Sequence, residues 1–178
     1  MKTQCNILVL LCLTLSSLAF ANDDYFSKFG FEVKGYKTTQ PESGWLAGLR
    51  WGRFLGKSTA HLGLAGYYGT PTGRSPALER TWYVGGTFGY DGRLGRNSVF
   101  EAALLVGYGQ GKLPTLDQKS YYVAEPSLAA GWMLGKGWRM LFSVSYLYMN
   151  NASGFSGFTF GLRFDRKTNI RIKAIDPR

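Results

Sequence analysis

Few residues in this chain could do covalent or metal chemistry. It has one histidine, His61, and two cysteines, Cys5 and Cys12. Both cysteines fall in an N-terminal stretch that reads as a secretory signal. Lys2 gives its charged start, the apolar run ILVLLCLTL spans 7–15, and Ala19-Phe20-Ala21 supplies the small-residue cleavage pattern. Cleavage after Ala21 leaves no cysteine, which excludes a disulfide scaffold and a thiolate metal site. One imidazole forms no cluster with metal-ligand spacing. A hydrolytic triad needs a nucleophile and an acid in reach of the histidine, and no Ser-Asn or Asp-Ser pair stands beside His61. Its expected role is hydrogen bonding in the protein interior. No cofactor is expected, since the spaced glycines of Gly107-Tyr108-Gly109-Gln110-Gly111 precede no helix.

The remaining chemistry is charge, and the charges sit at alternate positions of strand-like segments. In Trp138-Arg139-Met140-Leu141-Phe142-Ser143-Val144-Ser145-Tyr146-Leu147-Tyr148, one parity is continuously apolar with aromatic ends. The other parity carries Arg139, Ser143 and Ser145. That is the period of a strand, and its length suits a strand crossing a bilayer. The glycine and aromatic content (24 Gly, 12 Phe, 11 Tyr and 5 Trp in 178 residues) favours strands over helices. Nearly neutral mean hydropathy rules out a bundle of membrane helices.

Alternation predicts eight strands, at 29–37, 45–52, 60–68, 82–90, 100–108, 121–132, 138–148 and 158–164. Pro126 falls inside the sixth, where a ladder loses a donor, and predicts a bulge or local break. The connections after the first, third and fifth strands are longer and carry proline, whereas those after the second, fourth and sixth are short. The seventh connection is short where this order calls for a longer one. One face of every segment is bulky and apolar, and the other holds Gly, Ala, Ser, Tyr and a few charges. A soluble ligand-binding barrel needs the reverse sorting. Trp45, Trp51, Trp82, Trp132 and Trp138 lie on the apolar face near strand ends, as interfacial belts require.

Signal sequence, eight dyad-repeat strands and alternating connections together resemble the small eight-stranded outer-membrane barrels of Gram-negative bacteria, the OmpA-like and OmpX-like class. Phe158-Thr159-Phe160-Gly161-Leu162-Arg163-Phe164 is similar to the aromatic-ended terminal strand of that class. The resemblance implies an all-β, antiparallel, up-and-down transmembrane barrel over 22–164 and residence in the outer membrane; the chain departs from the class by continuing past Phe164, and 165–178 is expected to be a basic periplasmic tail, as 1–21 is expected to be a signal peptide.

An eight-stranded interior is just filled by side chains, so ionisable groups there must pair. A first hairpin centred on Pro41 sets Glu32 opposite Arg50 and Lys34 opposite Gly48. With Glu101, Arg139 and Arg163, these predict a cluster of Glu32, Arg50, Glu101, Arg139 and Arg163 at the periplasmic end, with Glu125 and Lys34 above it. The expected role of the cluster is a salt-bridge plug that fixes register. The chain is then a structural or surface-interaction barrel, the alternatives being a lipid A-modifying enzyme and a narrow solute pore. Expected partners are membrane lipid and lipopolysaccharide, not nucleic acid, and the barrel is expected to be a monomer.

Overall fold

The computed structural model describes residues 24–38, 43–55, 58–72, 80–112, 118–135, 137–150 and 156–171. The signal segment, the proline-bearing centres of the long connections and the end of the tail lie outside these residues. Eight strands run in chain order: β1 (Asp24–Thr38), β2 (Ser43–Phe54), β3 (Ala60–Thr72), β4 (Arg80–Arg93), β5 (Ser98–Lys112), β6 (Gln118–Gly135), β7 (Trp138–Met149) and β8 (Gly157–Arg171). Each pairs antiparallel with the next, and β8 pairs with β1 to close the barrel. Closure removes every sheet edge, the condition a hydrocarbon environment imposes on strands.

The strands outrun the apolar alternation that marks them in sequence. β1 starts at Asp24, β4 takes in Asp91 to Arg93, and β5 continues to Lys112. β8 carries on through Asp165 to Arg171, pairing Asp165 with Gly30 and Arg171 with Asp24. The first half of the expected tail is therefore barrel wall. A membrane span needs only about 9–11 residues, and β6 has 18. Strand ends beyond the hydrocarbon keep their ladder bonds with charged side chains, and there the sequence pattern fades.

The first hairpin pairs Glu32 with Gly48, Lys34 with Leu46 and Gly30 with Arg50. The expected pairing of Glu32 with Arg50 is thus displaced by two residues. A two-residue shift keeps every side chain on its face, so the interior set is unchanged. Pro126 produces no bulge. The β5 register runs straight through it, and the β7 register is the same on either side, with Ala124 opposite Tyr148 and Ser127 opposite Ser145. Glu125 and Pro126 have no partners in the β7 ladder, the local break that a missing donor explains. The irregularity lies instead between Met133 and Gly135, at the entry to the β6–β7 turn. Gly135 (φ 92°) and Gly137 (φ 82°) occupy the left-handed region there, where glycine has no Cβ to clash.

Burial alternates along the strands. In β7, Arg139, Leu141, Ser143, Ser145 and Leu147 are buried, while Trp138, Phe142, Val144 and Tyr148 are exposed. Phe142 and Phe160 expose 54 % and 60 % of their surfaces, whereas Arg50 and Glu101 expose 8 % and 2 %. Bulky apolar groups therefore turn outward and ionic groups inward, which suits an apolar solvent. The interior has two zones. Tyr36, Leu46, Tyr67, Tyr83, Tyr121 and Leu147 pack together in the half nearer the β1–β2 connection, the loop half. Ionic residues dominate the half nearer the β2–β3, β4–β5 and β6–β7 turns, the short-turn half.

Candidate functional site

Parity on the strands places all seven expected interior residues, Glu32, Lys34, Arg50, Glu101, Glu125, Arg139 and Arg163, inside the barrel. Glu101 on β5 is the centre of the lower network. Its carboxylate oxygens lie 2.6 Å from Lys28 Nζ, 2.8 Å from Arg163 Nη2, 3.3 Å from Arg50 Nη2 and 3.7 Å from Arg139 Nη2. Arg50 also reaches Glu32 across 3.4 Å, because its length spans the diagonal that the shifted register creates. Arg163 touches Glu101 and Asp165 without aligned hydrogen bonds from its Nε and Nη2.

Above this, Lys34 Nζ donates to Glu125 at 2.5 Å and lies 4.0 Å from the Tyr67 ring centroid. Tyr67 and Ser143 donate hydroxyl hydrogens to Glu32 at 2.5 and 2.6 Å. Tyr83 and Ser145 donate to Glu125 at 3.0 and 2.5 Å. Opposite charges in hydrogen-bond contact offset part of the desolvation each ion suffers on burial. Six buried cations, Lys28, Lys34, Arg50, Arg53, Arg139 and Arg163, face five buried carboxylates, Glu32, Asp91, Glu101, Glu125 and Asp165, among the described residues.

Besides Arg53, which lies on the outward parity of β2 next to Trp51, three of these members escape the sequence reading. Lys28 precedes the first alternating segment, Asp91 reads as turn, and Asp165 reads as tail. Lys28 Nζ lies 3.3 Å from Asp91, Arg139 donates to Asp91, and Arg139 Nη2 donates to Asp165 at 2.7 Å. Extending the parity of each strand past its last apolar residue would have found all three.

His61 on β3 is fully buried, but it does not make the hydrogen bond expected of it. Neither ring nitrogen has a hydrogen-bond partner among the described residues. Nδ1 lies 3.4 Å from Asp91 and Nε2 lies 3.9 Å from Glu101, and the ring is tilted against Phe54 at 5.5 Å. Lys28 and the guanidinium groups already hold those carboxylates. The structure also creates a juxtaposition that no sequence spacing reveals. His61, Asp91 and Glu101, from three strands, offer ligand atoms within 4.8 Å of one another. A metal does not fit this donor set, because Lys28 bridges the two carboxylates, Arg139 also holds Asp91, and Arg163 also holds Glu101. What the arrangement can do is hold opposite charges in register across the barrel.

On the outer wall, Trp45 and Trp82 lie toward the loop rim, and Trp51, Trp132 and Trp138 toward the short-turn rim. Each exposes 40–50 % of its surface. Two bands of aromatic side chains separated by aliphatic wall are what the two interfaces of a bilayer select.

No family model matches the sequence, and no curated protein matches it. Solved structures do. The N-terminal β-barrel domain of Pseudomonas aeruginosa OprF is similar with a TM-score of 0.55 at 13 % identity, covering 79 % of this chain and 97 % of that one. Ail, the attachment invasion locus protein of Yersinia pestis, gives 0.52 at 11 %, covering 83 % and 99 %. Neisserial surface protein A gives 0.53 at 7 %, covering 83 % and 97 %. At such identities the likeness speaks for the fold: this chain has the fold of the small eight-stranded outer-membrane β-barrels.

Proposed function

We propose that the chain is an integral outer-membrane protein whose filled barrel is a rigid support, and that its role, structural or in surface interaction, is exercised through the connections at the loop rim. The carrying observation is the inverted sorting of side chains: ion-paired charges inside, bulky apolar groups outside. Those connections carry Lys37, Arg74, Arg80, Lys112 and Lys119 against Glu42, Glu79 and Asp117 in sequence. They are suited to lipopolysaccharide phosphates, and the barrel acts as a monomer.

The filled interior argues against a solute pore. Arg163, Tyr83, Tyr121, Lys34 and Leu141 are each less than 2 % exposed and occupy the space a pore would need. Catalysis on outer-leaflet lipid needs a reachable base, and His61 is sealed in the short-turn half. Four measurements test this reading. The chain should fractionate with the outer membrane and migrate differently on gels when unboiled. Reconstituted in planar bilayers it should give no stepwise conductance. Lipid A mass spectra from cells with and without the protein should be identical, and an acyl-chain difference would replace the support role with an enzymatic one.

A further inference from the structure

The charges on the outside of the barrel are sorted by sign. Glu32, Asp91, Glu101, Glu125 and Asp165, the acidic residues whose side chains are described, are all buried. At the short-turn rim Arg93, Arg96 and Arg166 are exposed and Lys167 is half-buried. None of these four has an ion pair among the described residues, and the interior carboxylates nearby are already held by Lys28, Arg139 and Arg163. Aromatic rings hold two of the four in place. The Arg166 guanidinium lies 5.7 Å from the ring of Trp138, on the outer wall. Lys167 Nζ lies 3.9 Å from the ring of Phe54, which is buried inside the barrel, so this ammonium faces the mouth of the interior and not the outer wall. Trp51, Trp132 and Trp138 place the level of this rim at a bilayer interface. A guanidinium fixed at that depth, with no ion pair among the described residues, faces the layer where lipid phosphates lie.

We propose that the short-turn rim is a binding surface for the phosphate headgroups of anionic phospholipids, with Arg166 on Trp138 as its outward anchor and Arg93 and Arg96 around it. The phosphodiester supplies the missing counter-charge through charge-assisted hydrogen bonds, while the acyl chains lie on the apolar wall above. The contact of Arg166 with Trp138 distinguishes this from general attraction, because it sets the guanidinium at headgroup depth. Each cation near an anionic surface multiplies the preference for that lipid by about fivefold at low salt, an advantage that screening erodes.

The inference rests on the barrel spanning a bilayer, and its test separates the two claims. The refolded chain in zwitterionic detergent is offered equal phosphatidylglycerol and phosphatidylcholine, and retained lipid is read by native mass spectrometry. Phosphatidylglycerol should be retained at least several-fold more. The ratio should fall toward unity in R93Q/R96Q/R166Q and stay high in the neutral short-turn control T59Q/N97Q, whose side chains are exposed and uncharged. Excess inorganic phosphate should leave the bound lipid in place. Equal retention by the unaltered chain would overturn the proposal, as would a ratio insensitive to the rim substitutions or lowered equally by the control. Displacement by inorganic phosphate would show a soluble-anion site and no lipid surface. The gel shift of each unboiled variant reports barrel formation independently, so a lost lipid preference cannot be mistaken for a lost fold.

Discussion

Glu101 has four cations within 3.7 Å, whereas Glu125 has one ion pair among the described residues, with Lys34. Neutralising the first should therefore cost more than neutralising the second. Glu101→Gln leaves Lys28, Arg50 and Arg163 without their shared counter-ion, and breaking a buried pair from one side costs about 3–5 kcal/mol. Urea unfolding in detergent should place its midpoint well below that of Glu125→Gln; equal midpoints would remove Glu101 from the centre of the network. Arg50→Leu should also lower resistance to unfolding, since both Glu32 and Glu101 lose a partner. Unchanged heat-modifiability on gels would count against that contact. Parity makes much of this site legible in sequence: Glu32, Arg50, Glu101, Arg139 and Arg163 each fall on the small-residue side of an alternating run. Lys28, Asp91 and Asp165 do not stand out, because each lies past the last apolar residue of its strand. The unpartnered state of His61 was beyond reach too, for it depends on which groups from other strands arrive first at Asp91 and Glu101.

Among the strands, β8 departs most from its sequence pattern. Its apolar alternation stops at Phe164, yet the ladder to β1 continues for seven more residues to Arg171. Asp165 is the first of them, and it holds Arg139 and Arg163 from within the barrel. Gly30 sits opposite, and a Cβ there would strike the Asp165 carboxylate. The glycine is thus needed for close approach. Truncation after Phe164 should then remove ladder, counter-ion and closure together, giving a chain that fails to show a compact unboiled band. Truncation after Arg171 should retain that band. If both truncations behave like the full chain, β8 ends where its apolar pattern ends. Strand number, order and facing were readable because a period of two survives small errors of register. The pairing of Glu32 was not, since the turn that fixes it contains no short hairpin signal such as Asn-Gly. Of the two outcomes Pro126 predicted, the local break is the one that forms: a missing donor breaks the ladder, whereas a bulge needs an extra residue, and that lies beside Gly135.

At the scale of the molecule, one barrel faces two media whose demands are opposite. The interior must be filled and neutralised because no bulk water reaches it, and the exterior must be apolar because no hydrogen-bonding solvent surrounds it. Neighbouring positions on a single strand therefore have contrary tolerances. Val144 on β7 faces outward between Leu128 and Phe160, while the adjacent Ser145 faces inward and donates to Glu125. In lipid, Val144→Arg places a guanidinium against acyl chains, at a cost of about 2–4 kcal/mol near the midplane and about 0–1 near an interface. In water the same substitution would be a surface change, usually within about 0.5 kcal/mol. Urea titration of folding into phospholipid vesicles measures the difference directly. A loss of the larger size at Val144, diminishing for Arg placed at Tyr148 nearer the rim, would trace the depth profile of a bilayer along β7. A flat profile would mean that the exposed apolar wall is covered by protein or water, and the membrane reading of the fold would fail at its base.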